Sequence, residues 1–326
     1  MHIWYTRLRS ALGRHGKEVR TADIAAVGAS VVSTPSRAHE HAGVVEVEGA
    51  HLRYRIEGHG PPCLVVGSSV YYPRVFSQEL RARLQLIFLD LRHFAVTDPA
   101  FTPDHITLDI YADDIEQARQ TLNLDEVIVM GHSIHGILAL EYARRYPEQL
   151  RGVVAIGSPA HLSDDTALAR DRLWQAEASE ERKASLGRLQ AQLTPELLSA
   201  LSRAARFVRA EGASGPQLWY DFTYDDSRLW EGVELNFPVL ERLGGELLDT
   251  YDLAQGPGEI TSPVLIAQGK YDFRFPYTLW EEHRHKLPRH TYVLFERSGH
   301  TPQFEEPDRF DETLLTWANG IESSRS

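Results

Sequence analysis

Three residues far apart in the chain carry the side chains that nucleophilic acyl chemistry needs. Ser133 lies in "EVIVMGHSIHG", Asp272 in "PVLIAQGKYDFRFP" and His300 in "HTYVLFERSGHTPQF". A serine hydroxyl is a weak nucleophile at its ordinary pKa, so it needs a base within hydrogen-bond reach. Histidine fills that role when a buried carboxylate fixes its tautomer and stabilises the imidazolium. Singly, each residue has a plain alternative: a helix cap, a turn carboxylate, a loop histidine. Together they follow three separate apolar runs, in the order Ser, Asp, His. Ligands of open α/β sheets bind beyond the carboxyl ends of the strands, where all three would meet.

The serine sits between a strand pattern and a helix pattern. A sharp turn there can expose its hydroxyl above the sheet, provided the neighbours are small, and Gly131 and Gly136 supply that. The start of the next helix adds backbone N–H groups and a positive dipole end, which suit an oxyanion. One oxyanion donor is expected from Ile134. The other is expected from the loop after "CLVV", at Ser69, with Ser68 as the alternative. Tyr71 follows that loop and is expected in the pocket wall, with Tyr72 beside it.

These residues need a scaffold, and the periodicity supplies one. "VVEVEGAHLRYRIEG" alternates as a hairpin. "PPCLVVG", "LQLIFLD" and "EVIVMG" are short apolar runs, as expected of buried strands covered on both faces, and "GVVAIGSP", "SPVLIAQG" and "HTYVLFERS" read as further strands. Between them, "VFSQELRARL", "TLDIYADDIEQARQTLNL", "ILALEYARRYPEQL", "YTLWEEHRHKL" and "PDRFDETLLTWANGI" have helical spacing. Alternating strands and helices imply an α/β fold with a mostly parallel eight-stranded sheet flanked by helices. Residues 160–258 hold no buried strand pattern and read as helices, too long for a loop. They are expected to form a helical cap inserted in a core of residues 44–159 and 259–326. Residues 1–43 are expected to be an N-terminal extension, mobile or lying on the surface.

Composition narrows the function classes. The net charge of −12 repels nucleic acid and anionic membranes, so neither is expected as a partner. Cys63 is the single cysteine, within a strand pattern, so it reads as a core residue; it excludes an internal disulfide and a cysteine metal cluster. No run of eighteen apolar residues occurs, and the basic first twenty residues lack the apolar stretch of a secretory signal. The chain therefore reads as cytoplasmic. The His39 to His41 and His283 to His285 pairs have an i, i+2 spacing that points side chains apart on a helix, so no metal is expected there.

Taken with the order Ser, Asp, His, the motifs resemble those of the α/β-hydrolase family over about residues 44–323. "GHSIHG" is similar to its nucleophile turn, "GKYDFRFP" to its acid loop and "SGHTPQFEEPDRF" to its histidine loop. "DLRHFAVTD" resembles its Asp-x-Arg-Gly-x-Gly segment. The histidine loop and helical cap look most like the prolyl aminopeptidase group. His135 and His93 stand where the family usually has glycine, and "GSSVYYP" replaces its His-Gly loop. His132 matches the family, where it supports the turn; His93 and His135 are expected to be structural.

The resemblance implies a serine hydrolase with an acyl-enzyme, acting on a small molecule or short peptide and requiring no metal or organic cofactor. An aminopeptidase would hold a positive amine with cap acids among aromatics. "WYDFTYDDSRLWEGVE" offers Trp219, Tyr220 and Phe222 beside Asp221, Asp225, Asp226 and Glu231. An esterase, a lactonase or a carbon–carbon bond hydrolase would use the same triad without them. Outside enzymes, a ligand-binding receptor on this scaffold would not need all three groups. A dehalogenase or epoxide hydrolase normally has Asp in place of Ser133.

Overall fold

The computed structural model describes residues 41–323 apart from positions 257 and 282, and leaves the side chains of 322 and 323 aside. The expected extension of residues 1–43 falls, up to residue 40, outside the described residues, as do His39 and Glu40 of the first histidine pair.

Among the described residues nine strands form one sheet. They are β1 (His41–Val47), β2 (Ala50–Gly58), β3 (Pro62–Gly67), β4 (Gln85–Asp90), the two-residue β5 (Val96–Thr97), β6 (Val127–His132), β7 (Leu150–Ile156), β8 (Val264–Gly269) and β9 (His290–Phe295). Their order is β1-β2-β4-β3-β6-β7-β8-β9, with β5 paired to β2. The hairpin strands β1 and β2 run antiparallel; every pair from β4 through β9 along that path is parallel. The sheet is thus the expected mostly parallel one, with the small β5 added at the hairpin.

Both faces are covered, which is why the central strands are apolar throughout. Leu64 and Val66 of β3 join the cluster under the helices α2 (Leu108–Thr121) and α3 (Ile134–Arg145), which contribute Tyr111, Ile115, Ile137 and Tyr142. Cys63 and Val65 point the other way, toward Phe310, Leu314 and Trp317 of the closing helix α10 (Pro307–Ser323). This is the two-residue alternation of a strand. Each such side chain, fully buried, contributes roughly 1.5–3 kcal/mol.

Between β7 and β8 the chain carries helices and, among the described residues, no strand. They are α4 (Asp164–Glu177), α5 (Glu180–Ala191), α6 (Pro195–Ala200), α7 (Arg203–Ala213) and α8 (Phe237–Arg242). The long periodic stretch from residue 164 breaks because Ser179 caps a new helix, accepting from Arg182 N at 3.2 Å. Two expected helices are shorter in the structure. "VFSQELRARL" keeps only α1 (Gln78–Arg81), and "YTLWEEHRHKL" becomes 3-10 turns at Tyr277–Trp280 and Arg284–Lys286. The short helix α9 (Pro302–Glu305) precedes α10. No described helix is long and apolar enough to cross a membrane.

Candidate active site

Ser133 follows β6 and opens α3 with φ 62° and ψ −135°, one of two non-glycine residues at positive φ among the described residues. Such a conformation is costly for an L-residue and persists only where the surroundings enforce it. Here they do. Ser133 N–H donates to Ile156 O at 2.8 Å, and the turn is tight enough that a Cβ on Gly131 would collide with the His135 carbonyl. A Cβ on Gly136 would strike Ser158.

Asp272 follows β8 and is fully buried. Its Oδ1 accepts the N–H groups of Arg274 and Phe275, each at 2.9 Å, which leaves Oδ2 to His300 Nδ1 at 2.7 Å. His300 follows β9 and lies in the same cavity wall as Ser133. No hydrogen bond joins the side chains of Ser133 and His300 among the described residues; such bonds are commonly long until substrate binds. His132 supports the histidine loop, its Nε2–H donating to His300 O at 2.8 Å. That ring's pKa is driven well below the ordinary value, by burial first and then by the neighbouring His300.

The segment between β7 and β8 takes part directly. His300 N–H donates to Leu218 O at 2.5 Å and Phe273 N–H to Gln217 O at 3.0 Å, so residues 217–218 are bonded to both the acid and the histidine loops. Glu305 ties the same parts together: its Oε1 accepts from Gly299 and Thr301 N–H, both at 3.0 Å, and its Oε2 from Tyr220 N–H at 2.6 Å. Burial raises its pKa to about 7. From α5, the buried Arg182 guanidinium donates to the carbonyls of Pro216, Trp219 and Tyr220 at 2.7–2.9 Å and lies over the Phe222, Tyr271 and Phe273 rings.

The cavity above Ser133 is walled by Tyr71, Phe94, Phe207, Trp219, Trp230 and Phe275, among others. Tyr71 and Trp219 are therefore where the sequence reading expected them. Tyr220 is not: its side chain is exposed and packs on Tyr271 outside the cavity. Trp219 lines the cavity, whereas the Tyr220 N–H is held by Glu305 and its ring turns to the surface. Ser69 is also corrected. Its N–H donates to Asp90 Oδ1 at 2.6 Å and its side chain borders a separate surface recess. Ser68 lines the cavity instead, and among the described contacts its N–H has no acceptor. Ile134, the other expected donor, lines the cavity beside Ser133.

Of the acids in the aromatic segment, only Asp226 reaches the cavity; Asp221, Asp225 and Glu231 are exposed. Asp226 is joined by Glu211 of α7, which the sequence reading did not single out. An acid one turn after Phe207 on an otherwise apolar helix face was the available signal. Burial, reinforced by Glu211, raises the Asp226 pKa to about 6. Glu211 Oε2 accepts from Arg274 Nη1 at 2.9 Å, while its buried Oε1 has no partner among the described residues. Arg274 and Arg170 were also missed and line the same cavity. No group of three or more His, Cys, Asp or Glu is placed to hold a metal among the described residues.

Comparison with known proteins agrees with this fold. The sequence model of the alpha/beta hydrolase fold family matches residues 65–307. The AB hydrolase superfamily protein YclE of Bacillus subtilis is 36% identical over 283 residues, 85% of this chain and 99% of that protein. A proline iminopeptidase of Saccharolobus solfataricus is 27% identical over 69% of this chain and 73% of its own length. Among solved structures, proline iminopeptidase from Mycobacterium smegmatis superposes with a TM-score of 0.67 at 18% identity, covering 88% of this chain and all of that one. That likeness speaks to the fold alone.

Proposed function

This chain belongs to the α/β-hydrolase family, and from that premise we propose that it is a serine hydrolase that cleaves an ester or amide bond through Ser133, His300 and Asp272. The observation that carries the reading is the strained Ser133 turn opening into the cavity walled by a histidine already oriented by a buried carboxylate. His300 takes the proton as the Ser133 hydroxyl attacks the substrate carbonyl. The tetrahedral oxygen is held by the N–H groups of Ile134 and Ser68. His300 then protonates the leaving group, and water releases the acyl-enzyme by the same route.

The helices between β7 and β8 act as a cap that selects the substrate. Glu211 and Asp226 at one end of an aromatic cavity support a substrate with a free amine, hence a prolyl-aminopeptidase-like activity. That several relatives are named proline iminopeptidase points the same way. A simple esterase is the second reading, favoured by the pairing of Glu211 with Arg274, which offsets one of the two negative charges. Proline p-nitroanilide, its N-blocked form and p-nitrophenyl acetate separate them: an aminopeptidase needs the free amine, and an esterase is indifferent to it. Equal rates for wild type and Ser133→Ala on every substrate would refute the nucleophile assignment.

A further inference from the structure

Two histidines that stand where the family resemblance leads one to expect glycine meet in this fold. His93, in the 3-10 turn Arg92–Phe94 after β4, and His135, in the first turn of α3, are both buried in the cavity wall. Their Nε2 atoms are 2.8 Å apart, with the ring planes within 11° of parallel. The outer nitrogens are engaged too: His135 Nδ1 lies 2.6 Å from the Tyr72 hydroxyl and His93 Nδ1 3.2 Å from the Tyr111 hydroxyl. The Tyr72 hydroxyl is also 3.4 Å from the carbonyl of His132, the residue before the nucleophile. A bidentate ion pair, Arg92 to Asp114 at 2.5 and 2.7 Å, fixes the turn that carries His93.

Between two neutral imidazoles one nitrogen donates and the other accepts, so this chain of bonds has only two directions. Burial keeps both rings neutral, driving His93 down to about 3 and His135 well below its ordinary value. If Tyr72 donates to His135, the far end leaves the Tyr111 hydroxyl hydrogen buried with no acceptor among the described contacts. The opposite direction satisfies every group. Tyr111 O–H donates to His93 Nδ1, His93 Nε2–H to His135 Nε2, His135 Nδ1–H to the Tyr72 oxygen, and Tyr72 O–H to the His132 carbonyl.

We infer that Tyr111, His93, His135 and Tyr72 form a directional hydrogen-bond brace that sets the spacing of the two oxyanion donors. The bond between His135 and Tyr72 spans that gap. Ile134 is next to His135, and Ser68 O accepts from Tyr72 N–H at 3.2 Å. Gly67, at φ 142°, lets the two rings approach, since a Cβ there would collide with both. All four are positioning residues. The brace rests on the serine hydrolase reading above for its effect on rate, but not for its existence.

Long-range proton–nitrogen NMR of the wild-type imidazoles tests the direction. His93 should carry its proton on Nε2 and His135 on Nδ1; the converse pattern, or a charged ring at pH 7, overturns the brace. Tyr72→Phe should lower kcat for p-nitrophenyl acetate about 10- to 100-fold with KM changed less than about threefold, the mark of a lost transition-state contact. Affinity for phenylboronic acid, which mimics the tetrahedral state, should fall with it. Unchanged kcat and unchanged boronate affinity would overturn the positioning role. If that variant does not fold, the wild-type tautomers still decide. Fluorophosphonate labelling that persists in Ser133→Ala would refute the serine reading separately, leaving the tautomer result to stand by itself.

Discussion

Replacing Asp272 by asparagine changes one oxygen to an amide and little else, and the surrounding hydrogen bonds dictate which oxygen. Oδ1 accepts two backbone N–H groups, from Arg274 and Phe275, so the asparagine carbonyl must stay there. The NH2 group then occupies the site of Oδ2, facing His300 Nδ1 at 2.7 Å. Two donors cannot share that contact, so His300 must give up its Nδ1 proton and carry it on Nε2. In that tautomer the ring cannot accept the Ser133 proton. The expected loss is about 10⁴-fold in kcat for p-nitrophenyl acetate, or about 5 kcal/mol of transition-state stabilisation. Thermal unfolding should shift little, because both backbone donors keep their acceptor. Asp272→Ala, by contrast, leaves two buried N–H groups unpaired at about 1–3 kcal/mol each. The assay is steady-state hydrolysis at pH 7 to 9, beside a melting curve for each variant. An Asp272→Asn enzyme that keeps its fold and retains more than about one tenth of the wild-type rate would refute the tautomer argument, since that argument predicts a loss nearer 10⁴-fold.

Asp226→Asn should reduce kcat/KM for proline p-nitroanilide by about 10-fold or more while sparing p-nitrophenyl acetate, if the amine is held by a charge-assisted bond. The same substitution should stabilise the fold at pH 7.5 and not at pH 4. A carboxyl raised from 3.8 to about 6 adds stability below its unfolded pKa and loses it as pH rises through 6, up to roughly 3 kcal/mol; melting curves at the two pH values check the sign. Arg182→Met should lower stability by about 3 kcal/mol or more, because three carbonyls lose a charged donor, and urea titration would show it. Its kcat should fall as well, since residues 217–218 hold both the Asp272 and the His300 loops. Cys63, fully buried and with its thiol pKa raised by that burial, should react with Ellman's reagent only after denaturation.

What the sequence determined by itself follows from local physics. Apolar runs bounded by turn residues mark strands, so β3, β4 and β6 to β9 and the alternation of the β1–β2 hairpin were legible, and with them the end of the sheet where the candidate site lies. Small residues around Ser133 announced a sharp turn, because strand and helix backbones approach closely there. Asp272 and His300 were legible because each lies in the loop that leaves the end of a strand. The tertiary structure decided everything that depends on which of two neighbours faces inward. Ser68 rather than Ser69, and Trp219 rather than Tyr220, are one-residue choices. They are set by how a loop leaves its strand and what its backbone bonds to, such as Asp90 accepting from Ser69. Glu211 and Asp226 meet only because α7 packs against the turn Ser227–Trp230 that Asp226 opens, and His93 finds His135 across 42 residues of chain. Such pairs leave no periodic trace: periodicity records how an element is buried, whereas a pocket is composed of side chains from several elements whose distances are fixed by packing.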